Sequence, residues 1–227
     1  MRSVKLIVLD VGGTIIQDGG EVQESFVAAL QHHDVPVTLA EVLEWKGAAK
    51  AEVIRHFVQK RTKLDRAAQE RLIDQTYVEF RARLEARYRS STKPIDGAEK
   101  AFRQMGEQGY TLVTTSGFYK GLTEAILKSL GWQSFFAACI SSDDVPHGRP
   151  SPFMIFRAME AALVDDVQLV VNVGDTPLDL QAGNNSGVRG VIGVLTGVNN
   201  AERLGRERHT HLLPSVATLP ELLRAEF

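Results

Sequence analysis

The sequence predicts an α/β protein built on a doubly wound parallel sheet, with a helical domain inserted between its first and second strands. Three observations support this fold class. Short apolar, β-rich runs alternate with helix-like stretches, which is the pattern of βαβ crossovers. About a hundred residues separate the first two runs, which is too long for one crossover helix. Polar and glycine-rich motifs follow the ends of the runs, where parallel sheets bind their ligands.

Five apolar runs are predicted to form the strands. The first lies at residues 4–9 and leads to two glycines, as expected of a strand buried on both faces. The other four are at residues 111–115, 136–140, 169–173 and 190–194. Helices are predicted at residues 97–108 and 121–130. Right-handed crossovers of this kind cover both faces of a sheet with helices.

The insert is predicted to be helical almost throughout residues 21–89. One stripe of a long helix is apolar, and its members are Leu72, Ile73, Tyr77, Phe80, Leu84 and Tyr88. We interpret this stripe as core, although it could instead form the surface of a homodimer. The predicted domains are a core of residues 1–16 and 93–227 and an inserted helical domain of residues 17–92.

Composition narrows the classes of function. The chain of 227 residues has 26 basic and 28 acidic side chains, which gives no electrostatic footprint for nucleic acid or an anionic membrane. A small-molecule ligand is therefore expected. A single cysteine, Cys139, excludes an intramolecular disulfide and suits a reducing compartment. No apolar run approaches the roughly 20 residues that a membrane span needs, and no signal peptide precedes the first strand, so a cytoplasmic location is predicted.

A carboxylate, Asp10, follows the first strand. Residues 10–14 read Asp-Val-Gly-Gly-Thr, and the backbone N–H groups of Gly13 and Thr14 are predicted to cradle a phosphoryl group beside it. The same pentapeptide opens sugar kinases of the actin-like ATPase fold, so it decides nothing alone. Such a kinase would need a duplicated domain and a second glycine-rich phosphate loop, and the sequence has neither.

Two more carboxylates, Asp175 and Asp179, follow the strand predicted at residues 169–173. A pair of carboxylates at a strand end makes an oxygen-rich site suited to Mg²⁺, which commonly bridges a substrate phosphate. A turn and a helix cap are ordinary roles for either aspartate alone, but they explain the pair less well. The sequence therefore predicts a Mg²⁺ site here.

Two further strand ends carry polar groups. Thr115, Ser116 and Gly117 end the second strand and offer hydroxyl and N–H groups to phosphate oxygens. Arg149 follows the third strand, where it can pair with a phosphoryl oxygen or with Asp10. A surface arginine in a proline-rich loop is the alternative.

In their order along the chain, these four motifs resemble those of the haloacid dehalogenase-like hydrolases, and the insert resembles the cap domain of such enzymes. The resemblance covers essentially the whole chain. It implies that Asp10 is a covalent nucleophile and that Thr115 and Arg149 stabilise the transferred phosphoryl group. The Mg²⁺ ligands that it implies are Asp10, the carbonyl of Gly12 and Asp175, and the aspartate pair at the strand end adds Asp179 as a candidate ligand.

Gly12 stands where most phosphatases of this family carry an aspartate that acts as general acid and base. Losing a positioned acid and base costs about 10²- to 10⁴-fold in rate. Two branches of the family lack that aspartate. The 2-haloacid dehalogenases use no metal, so membership of that branch would not explain the predicted metal site at Asp175 and Asp179. The phosphonatases cleave a carbon–phosphorus bond through a Schiff base on a cap lysine.

Two segments resemble the phosphonatase branch in particular. Residues 143–150 read Asp-Asp-Val-Pro-His-Gly-Arg-Pro, very similar to its corresponding stretch. Residues 47–50 match the Gly-x-x-Lys of its cap, which implies that Lys50 forms the Schiff base and that Gly47 lies at the substrate. Lys46, one helical turn earlier, would favour the neutral amine of Lys50 if the two faced each other.

One difference from phosphonatases lies in the same segment. Val53 stands where they carry a histidine that moves protons during imine chemistry, and His56 could replace it only if its helix presents it to the substrate.

Taken together, the motifs predict a Mg²⁺-dependent hydrolase of a small phosphonate. The alternatives are a phosphatase for a small phosphate monoester and a weakly catalytic phosphate-binding protein, and retention of all four motifs argues against the latter.

Overall fold

The structure is a computed structural model that describes residues 3–45 and 48–227, and it describes residues 89–91 by their backbone alone. The chain divides into two compact units. The first comprises Met1–Asp18 and Thr92–Phe227, and the second comprises Gly19–Ser91. The second unit is therefore an insertion in the sequence of the first.

A parallel sheet of six strands forms the centre of the first unit. The strands are β1 (Leu6–Asp10), β2 (Thr111–Ser116), β3 (Ala138–Ser141), β4 (Val170–Gly174), β5 (Gly190–Val194) and β6 (His211–Leu213). Their order across the sheet is β3-β2-β1-β4-β5-β6. The predicted fold class, a doubly wound parallel sheet, is confirmed.

The sixth strand is absent from the sequence prediction, which gave five strands. β6 has only three residues and all are half-buried, so it offers neither an alternating pattern nor an apolar run to detect. It pairs with β5 and forms one edge of the sheet. β3, with four residues, forms the other edge.

β1 is the central strand and positions the site. Its sequence, Leu-Ile-Val-Leu-Asp, is buried at every position, and it pairs with β2 on one side and β4 on the other. The register sets Asp10 beside Thr115 and Leu9 beside Val173. Because the chain winds outward in opposite directions from β1, the carboxyl ends of these strands frame the crevice where such sheets bind ligands.

Ten helices are described, the first four in the second unit. They are α1 (Glu21–His32), α2 (Leu39–Leu43), α3 (Lys50–Arg61), α4 (Arg66–Ser91), α5 (Ala98–Glu107), α6 (Lys120–Ser129), α7 (Phe153–Ala161), α8 (Pro177–Ser186), α9 (Ala201–Leu204) and α10 (Leu219–Glu226). The two helices that were predicted by residue range correspond to α5 and α6. Among the described residues, no helix has the length and apolar character needed to cross a membrane.

α8 begins slightly earlier than predicted, at Pro177 rather than near Asp179. Thr176 is its N-cap residue, and proline at the first helical position has the required φ and needs no N–H partner. Asp179 belongs to the first turn, where its side chain completes a capping box with Thr176. The start of this helix is therefore fixed by the same segment that carries the predicted metal ligands.

The second unit buries most of the apolar stripe of α4. Ile73, Phe80 and Leu84 are at most 2% exposed, and α4 packs against α1 and α3. The ring of Phe80 stacks on that of Phe26 of α1, with 4.2 Å between centroids. The buried members of the stripe are core, as interpreted, while Leu72 and Tyr77 are half-buried, and the alternative of a dimer surface is not tested. Formation of a homodimer stays a prediction.

Candidate active site

Side chains from four separate loops and strand ends lie together in the first unit. Asp10 ends β1, and Thr115 is its neighbour in β2. Arg149 lies in the loop after β3, and Asp175 directly follows β4. All four residues are buried, with 6% exposure at most. The four sequence motifs are therefore assembled into one polar cluster within an apolar core.

Arg149 is the centre of this cluster. Its Nη1 lies 2.6 Å from Oδ1 of Asp10 and 2.9 Å from Oδ1 of Asp179. Its Nη2 donates a hydrogen bond to Oγ1 of Thr115 over 2.8 Å. Burial opposes the guanidinium charge, but the carboxylates of Asp179 and Asp10 outweigh it and raise the pKa of Arg149. A buried cation that orients Asp10 replaces the alternative of a surface arginine.

Asp10 is destabilised as an anion in this environment. Burial raises the pKa of Asp10 from 3.8 to about 6, with Arg149 acting to lower it and Asp179 acting to raise it. Its Oδ2 lies 3.4 Å from the hydroxyl of Thr14, a long contact from a weak donor. A carboxylate nucleophile must be ionised, so an additional positive charge beside Asp10 would favour the reactive form.

Asp179 uses its two oxygens for different purposes. Oδ2 accepts hydrogen bonds from the N–H and hydroxyl of Thr176, at 3.0 and 2.5 Å. Oδ1 faces Arg149. Asp179 therefore has both roles that the sequence offered as alternatives, since it completes the helix cap and belongs to the ionic cluster.

Asp10, Asp175 and Asp179 form a buried acidic cluster. A carboxylate oxygen from each lies within 4.8 Å of the others. Three buried carboxylates this close together repel one another, and burial of like charges is costly. Hard carboxylate oxygens gathered around a small volume are ligands that divalent cations such as Mg²⁺ prefer. The cluster could therefore hold a metal ion.

The turn after β1 closes on itself. The N–H of Gly13 donates to the carbonyl of Ile16 over 2.8 Å, and that of Thr14 donates to the carbonyl of Val11 over 3.4 Å. Gly13 has a φ of 82°, a backbone conformation that favours glycine. These two N–H groups bond within the turn, and the role of Gly13 and Thr14 in phosphate binding stays a prediction.

The loop after β2 presents an aromatic ring to the same turn. Oγ of Ser116 accepts a hydrogen bond from the N–H of Phe118 over 3.0 Å, and the carbonyl of Gly117 lies 3.4 Å from the hydroxyl of Ser142. The Phe118 ring is placed so that a Cβ at Gly12 would lie 3.5 Å from it. The space beside Gly12 is therefore bounded by an apolar ring.

Lys50, in the second unit, is the first residue of α3 and is buried, with 6% exposure. Its Nζ donates to the carbonyl of Ala48 over 3.3 Å. Gly47 and Lys46, predicted to support it, lie outside the described residues. Its role as Schiff-base lysine stays a prediction.

Val53 and His56 follow Lys50 along the same helix, Val53 on the same side as Lys50 and His56 on another face. Val53 is fully buried. Six residues along an α-helix turn the side chain by about 240°, which leaves His56 about 120° from Lys50. The imidazole packs on Trp45 with 4.4 Å between ring centroids, and burial followed by the charge of Lys60 lowers the pKa of His56. His56 is therefore a packing residue of the second unit.

Sequence reasoning missed the segment that follows β5. The hydroxyl of Thr196 donates to the carbonyl of Gly13, and the amide of Asn199 donates to the carbonyl of Asp175. A signal was available, since β5 was predicted and ligand sites in such sheets lie beyond the carboxyl ends of the strands. Thr-Gly-Val-Asn carries no ionisable group, however, so its sequence does not distinguish it from an ordinary loop.

Comparison with known proteins agrees with this arrangement. The family described as haloacid dehalogenase-like hydrolase matches residues 4–187. The phosphonoacetaldehyde hydrolase of Bacillus cereus is 28% identical over 204 residues, which cover 86% of this chain and 76% of the relative. The enzyme of the same name from Parabacteroides distasonis is 25% identical over 209 residues, which cover 88% of this chain and 79% of the relative.

Solved structures share the fold at lower identity. A phosphonoacetaldehyde hydrolase-like protein from Oleispira antarctica has a TM-score of 0.85 and 22% identity, with 98% of this chain and 92% of that chain covered. A protein of Haemophilus somnus described as a predicted phosphoglycolate phosphatase has a TM-score of 0.82 and 17% identity, with 98% and 99% covered. Because the family match extends over most of the sequence and the fold agrees, this chain belongs to the haloacid dehalogenase-like hydrolases.

Proposed function

We propose that this protein is a Mg²⁺-dependent hydrolase that cleaves the carbon–phosphorus bond of a small phosphonate, of which phosphonoacetaldehyde is the simplest. Asp10 acts as the nucleophile on phosphorus, and Lys50 activates the aldehyde as a Schiff base. Relatives named phosphonoacetaldehyde hydrolase, 25% and 28% identical over most of the chain, support this assignment. In the proposal, residues 17–92 act as a cap over a catalytic core of residues 1–16 and 93–227.

The observation that carries the proposal is the environment of Gly12. Asp10, Thr115, Arg149 and the acidic cluster are gathered as a phosphoryl-transfer site requires. The residue two positions after Asp10 has no side chain, and the ring of Phe118 borders the space beside it. Such a site favours a substrate whose leaving group needs no proton from that position.

A Schiff base makes the leaving group suitable. The neutral amine of Lys50 condenses with the aldehyde carbon and releases water to give an imine, and the imine nitrogen takes up a proton from solvent to give a protonated imine. An oxygen of Asp10 then bonds to phosphorus while the carbon–phosphorus bond breaks, and its electron pair moves toward the iminium nitrogen to give an enamine. No alkoxide forms, so no general acid is required at residue 12.

Two hydrolytic steps complete the cycle. Water attacks phosphorus of the aspartyl phosphate, releases inorganic phosphate and regenerates Asp10. The enamine takes up a proton on carbon, and water adds to the resulting imine to release acetaldehyde and the amine of Lys50. Arg149 holds Asp10 in position throughout, and the hydroxyl of Thr115, which accepts from Arg149, keeps its own proton to donate to a phosphoryl oxygen.

The proposed Mg²⁺ ligands are Asp10, the carbonyl of Gly12, Asp175 and Asp179. The burial of the three carboxylates and the distance of at most 4.8 Å between their oxygens support this choice. When bound, the ion supplies charge neutralisation for the phosphoryl group and favours the ionised form of Asp10.

Phosphate release from phosphonoacetaldehyde in the presence of Mg²⁺ tests the proposal, with borohydride trapping in parallel. The native protein is expected to turn over and to be trapped as an adduct at Lys50. Lys50→Arg should lose both properties and keep its circular dichroism spectrum. Lys60→Arg is the matched control, because Lys60 is an exposed lysine of the same helix and should change neither. An adduct elsewhere, or turnover that survives in Lys50→Arg, rules out the Schiff base.

A phosphatase for a small phosphate monoester is the second candidate. The observations that favour it are the buried Val53 and the packing of His56 on Trp45, which leave the imine without the histidine found in phosphonatases. If phosphonoacetaldehyde is not cleaved, hydrolysis of a panel of phosphate monoesters that is lost in Asp10→Asn would establish this alternative. A cytoplasmic location stays a prediction in either case.

A further inference from the structure

The segment between β5 and α9 contacts two loops of the candidate site without contributing a charged group. Thr196 reaches the turn after β1, where its Oγ1 donates to the carbonyl of Gly13 over 2.6 Å. Asn199 reaches the end of β4, where its Nδ2 donates to the carbonyl of Asp175 over 3.2 Å. One short segment therefore ties together the two loops that carry Asp10 and Asp175.

Gly197, between these two residues, is pressed against the carboxylate of Asp175. A Cβ at Gly197 would overlap that carboxylate. A Cβ at Gly13 would also lie too close, at 2.5 Å from its Oδ2. The side chain of Asp175 therefore occupies space that exists only because both neighbours are glycine, and the two backbones restrict the directions in which its oxygens can point.

We propose that Thr196, Gly197 and Asn199 form a positioning brace that sets the metal-binding geometry of Asp175 and of the turn after β1. The brace rests on the proposed function in one respect, since it takes Asp175 as a Mg²⁺ ligand. None of its three residues contacts the reacting atoms. They act through the carbonyls of Gly13 and Asp175 and through the room left for the Asp175 carboxylate.

Physical reasons favour a strong effect on affinity. Mg²⁺ demands near-ideal octahedral geometry, so a small rotation of one ligand is costly. Residues that orient metal ligands without touching the metal typically change affinity or activity by about 10- to 100-fold when substituted. Thr196 also anchors the turn that begins at Asp10 and contains Gly12, both of which are proposed ligands. Loss of the Thr196 hydroxyl therefore affects two ligands together.

The test is a calorimetric titration of the metal-free full-length protein with Mg²⁺, which measures the Kd. Thr196→Val keeps the shape of the side chain and removes the donor, and Thr196→Ser keeps the donor. The valine variant is expected to raise the Kd for Mg²⁺ about 10-fold or more, and the serine variant to stay near the native value. Gly197→Ala is expected to raise the Kd toward about 100-fold, because its Cβ displaces the carboxylate.

Two alanine variants serve as matched controls. Val198→Ala changes the exposed residue inside the same segment, and Gly106→Ala adds a Cβ in open space at the end of α5. Both should bind Mg²⁺ as the native protein does. Thermal melts of every variant identify any that fail to fold, and the isosteric Thr196→Val keeps the test decisive if Gly197→Ala is one of them.

The outcomes separate the brace from the site it supports. If Asp175→Asn abolishes Mg²⁺ binding while Thr196→Val and Gly197→Ala, both folded, bind it normally, the brace is wrong and the proposed metal site stands. Equal Kd values for Thr196→Val and Thr196→Ser would also overturn it. If the native protein binds no Mg²⁺, the proposed metal site fails and the brace fails with it.

Discussion

Gly12 is the residue at which this chain departs from the phosphatases of its family, and its surroundings make the departure testable. A Cβ added there would lie 3.5 Å from the Phe118 ring, an ordinary van der Waals distance. A side chain can therefore enter this position without forcing the backbone apart. What the position lacks is an acid, and the rest of the cluster does not depend on that absence.

Gly12→Asp is expected to increase the rate at which the protein hydrolyses phosphate esters. An alkyl phosphate such as glycerol phosphate has a poor leaving group, so a carboxyl at residue 12 should raise its hydrolysis, within the roughly 10²- to 10⁴-fold that a positioned acid and base contribute. Gly12→Ala adds the same Cβ without the acid and is the control. Equal phosphate release by the two variants would show that a carboxyl at this position cannot reach the leaving group.

Asp10 makes the metal-free protein sensitive to pH. Its pKa of about 6 in the folded state exceeds the ordinary value of 3.8, so the folded state binds the proton more tightly. The stability that Asp10 contributes is therefore present in full below pH 3.8 and is lost as the pH rises through about 6, with an upper limit of about 3 kcal/mol. Urea unfolding of the metal-free protein between pH 4.5 and about 7.5 measures this loss.

Asp10→Asn is the control for this effect, because an amide is neutral at every pH. The difference in unfolding free energy between native and variant should change over the same interval and level off above about pH 7. Added Mg²⁺ should reduce the loss, since a ligand carboxylate must release its proton when the ion binds. A native–variant difference that is constant with pH would contradict the raised pKa.

The N-terminus of α8 links helix stability to the acidic cluster. Thr176 caps the helix, and its N–H and hydroxyl hold one oxygen of Asp179 while the other faces Arg149. Thr176→Ala should lower the free energy of unfolding by about 1 kcal/mol through loss of the cap. It should also weaken Mg²⁺ binding, because the Asp179 carboxylate loses the hydroxyl that orients it. Chemical denaturation and calorimetry measure the two effects separately.

α2 supplies the matched control. Thr38 forms the same capping box with Glu41, in the second unit. Thr38→Ala should cost similar stability and leave the Mg²⁺ affinity unchanged. If both substitutions weakened Mg²⁺ binding equally, the effect of Thr176 would be one of general stability and not of its contact with Asp179.

The sequence predicted elements with a strong local pattern and missed those without one. β1, β4 and β5 are continuous apolar runs, and α4 carries a periodic stripe, so each can be recognised by itself. β6 has three half-buried residues, and its pairing with β5 depends on the rest of the sheet. Tertiary structure decides such elements.

The candidate site shows the same division. Parallel strands place their carboxyl ends at one edge, so the proximity of Asp10, Thr115 and Asp175 follows from the strand assignment. The partners of Arg149 do not follow from it, because one long side chain can reach several groups. Sequence left phosphate and Asp10 as alternatives, and the geometry shows Asp10 together with Asp179. Thr196 and Asn199 act through backbone carbonyls, which no sequence motif displays.

The division into two units predicts that Mg²⁺ stabilises the molecule unevenly. The acidic cluster lies wholly in the first unit, so an ion held there at about 100 times its Kd should add about 2.7 kcal/mol to the unfolding free energy of that unit. Hydrogen exchange with and without Mg²⁺ should show stronger added protection in β1 and β4 than in α1 and α4. Asp175→Asn should remove the difference, and equal added protection in both units would contradict the prediction.

The central position of β1 has a consequence for synthesis of the chain. Its hydrogen-bonding partners are β2, which begins at Thr111, and β4, which begins at Val170, with the whole second unit between β1 and β2. At the usual translation rate of about 5–20 residues per second, on the order of 5–20 s pass between the synthesis of β1 and that of β2, its first partner strand. During that interval an apolar strand is without its neighbours, and we expect chaperones to bind this segment of the nascent chain, which is fully buried in the folded protein.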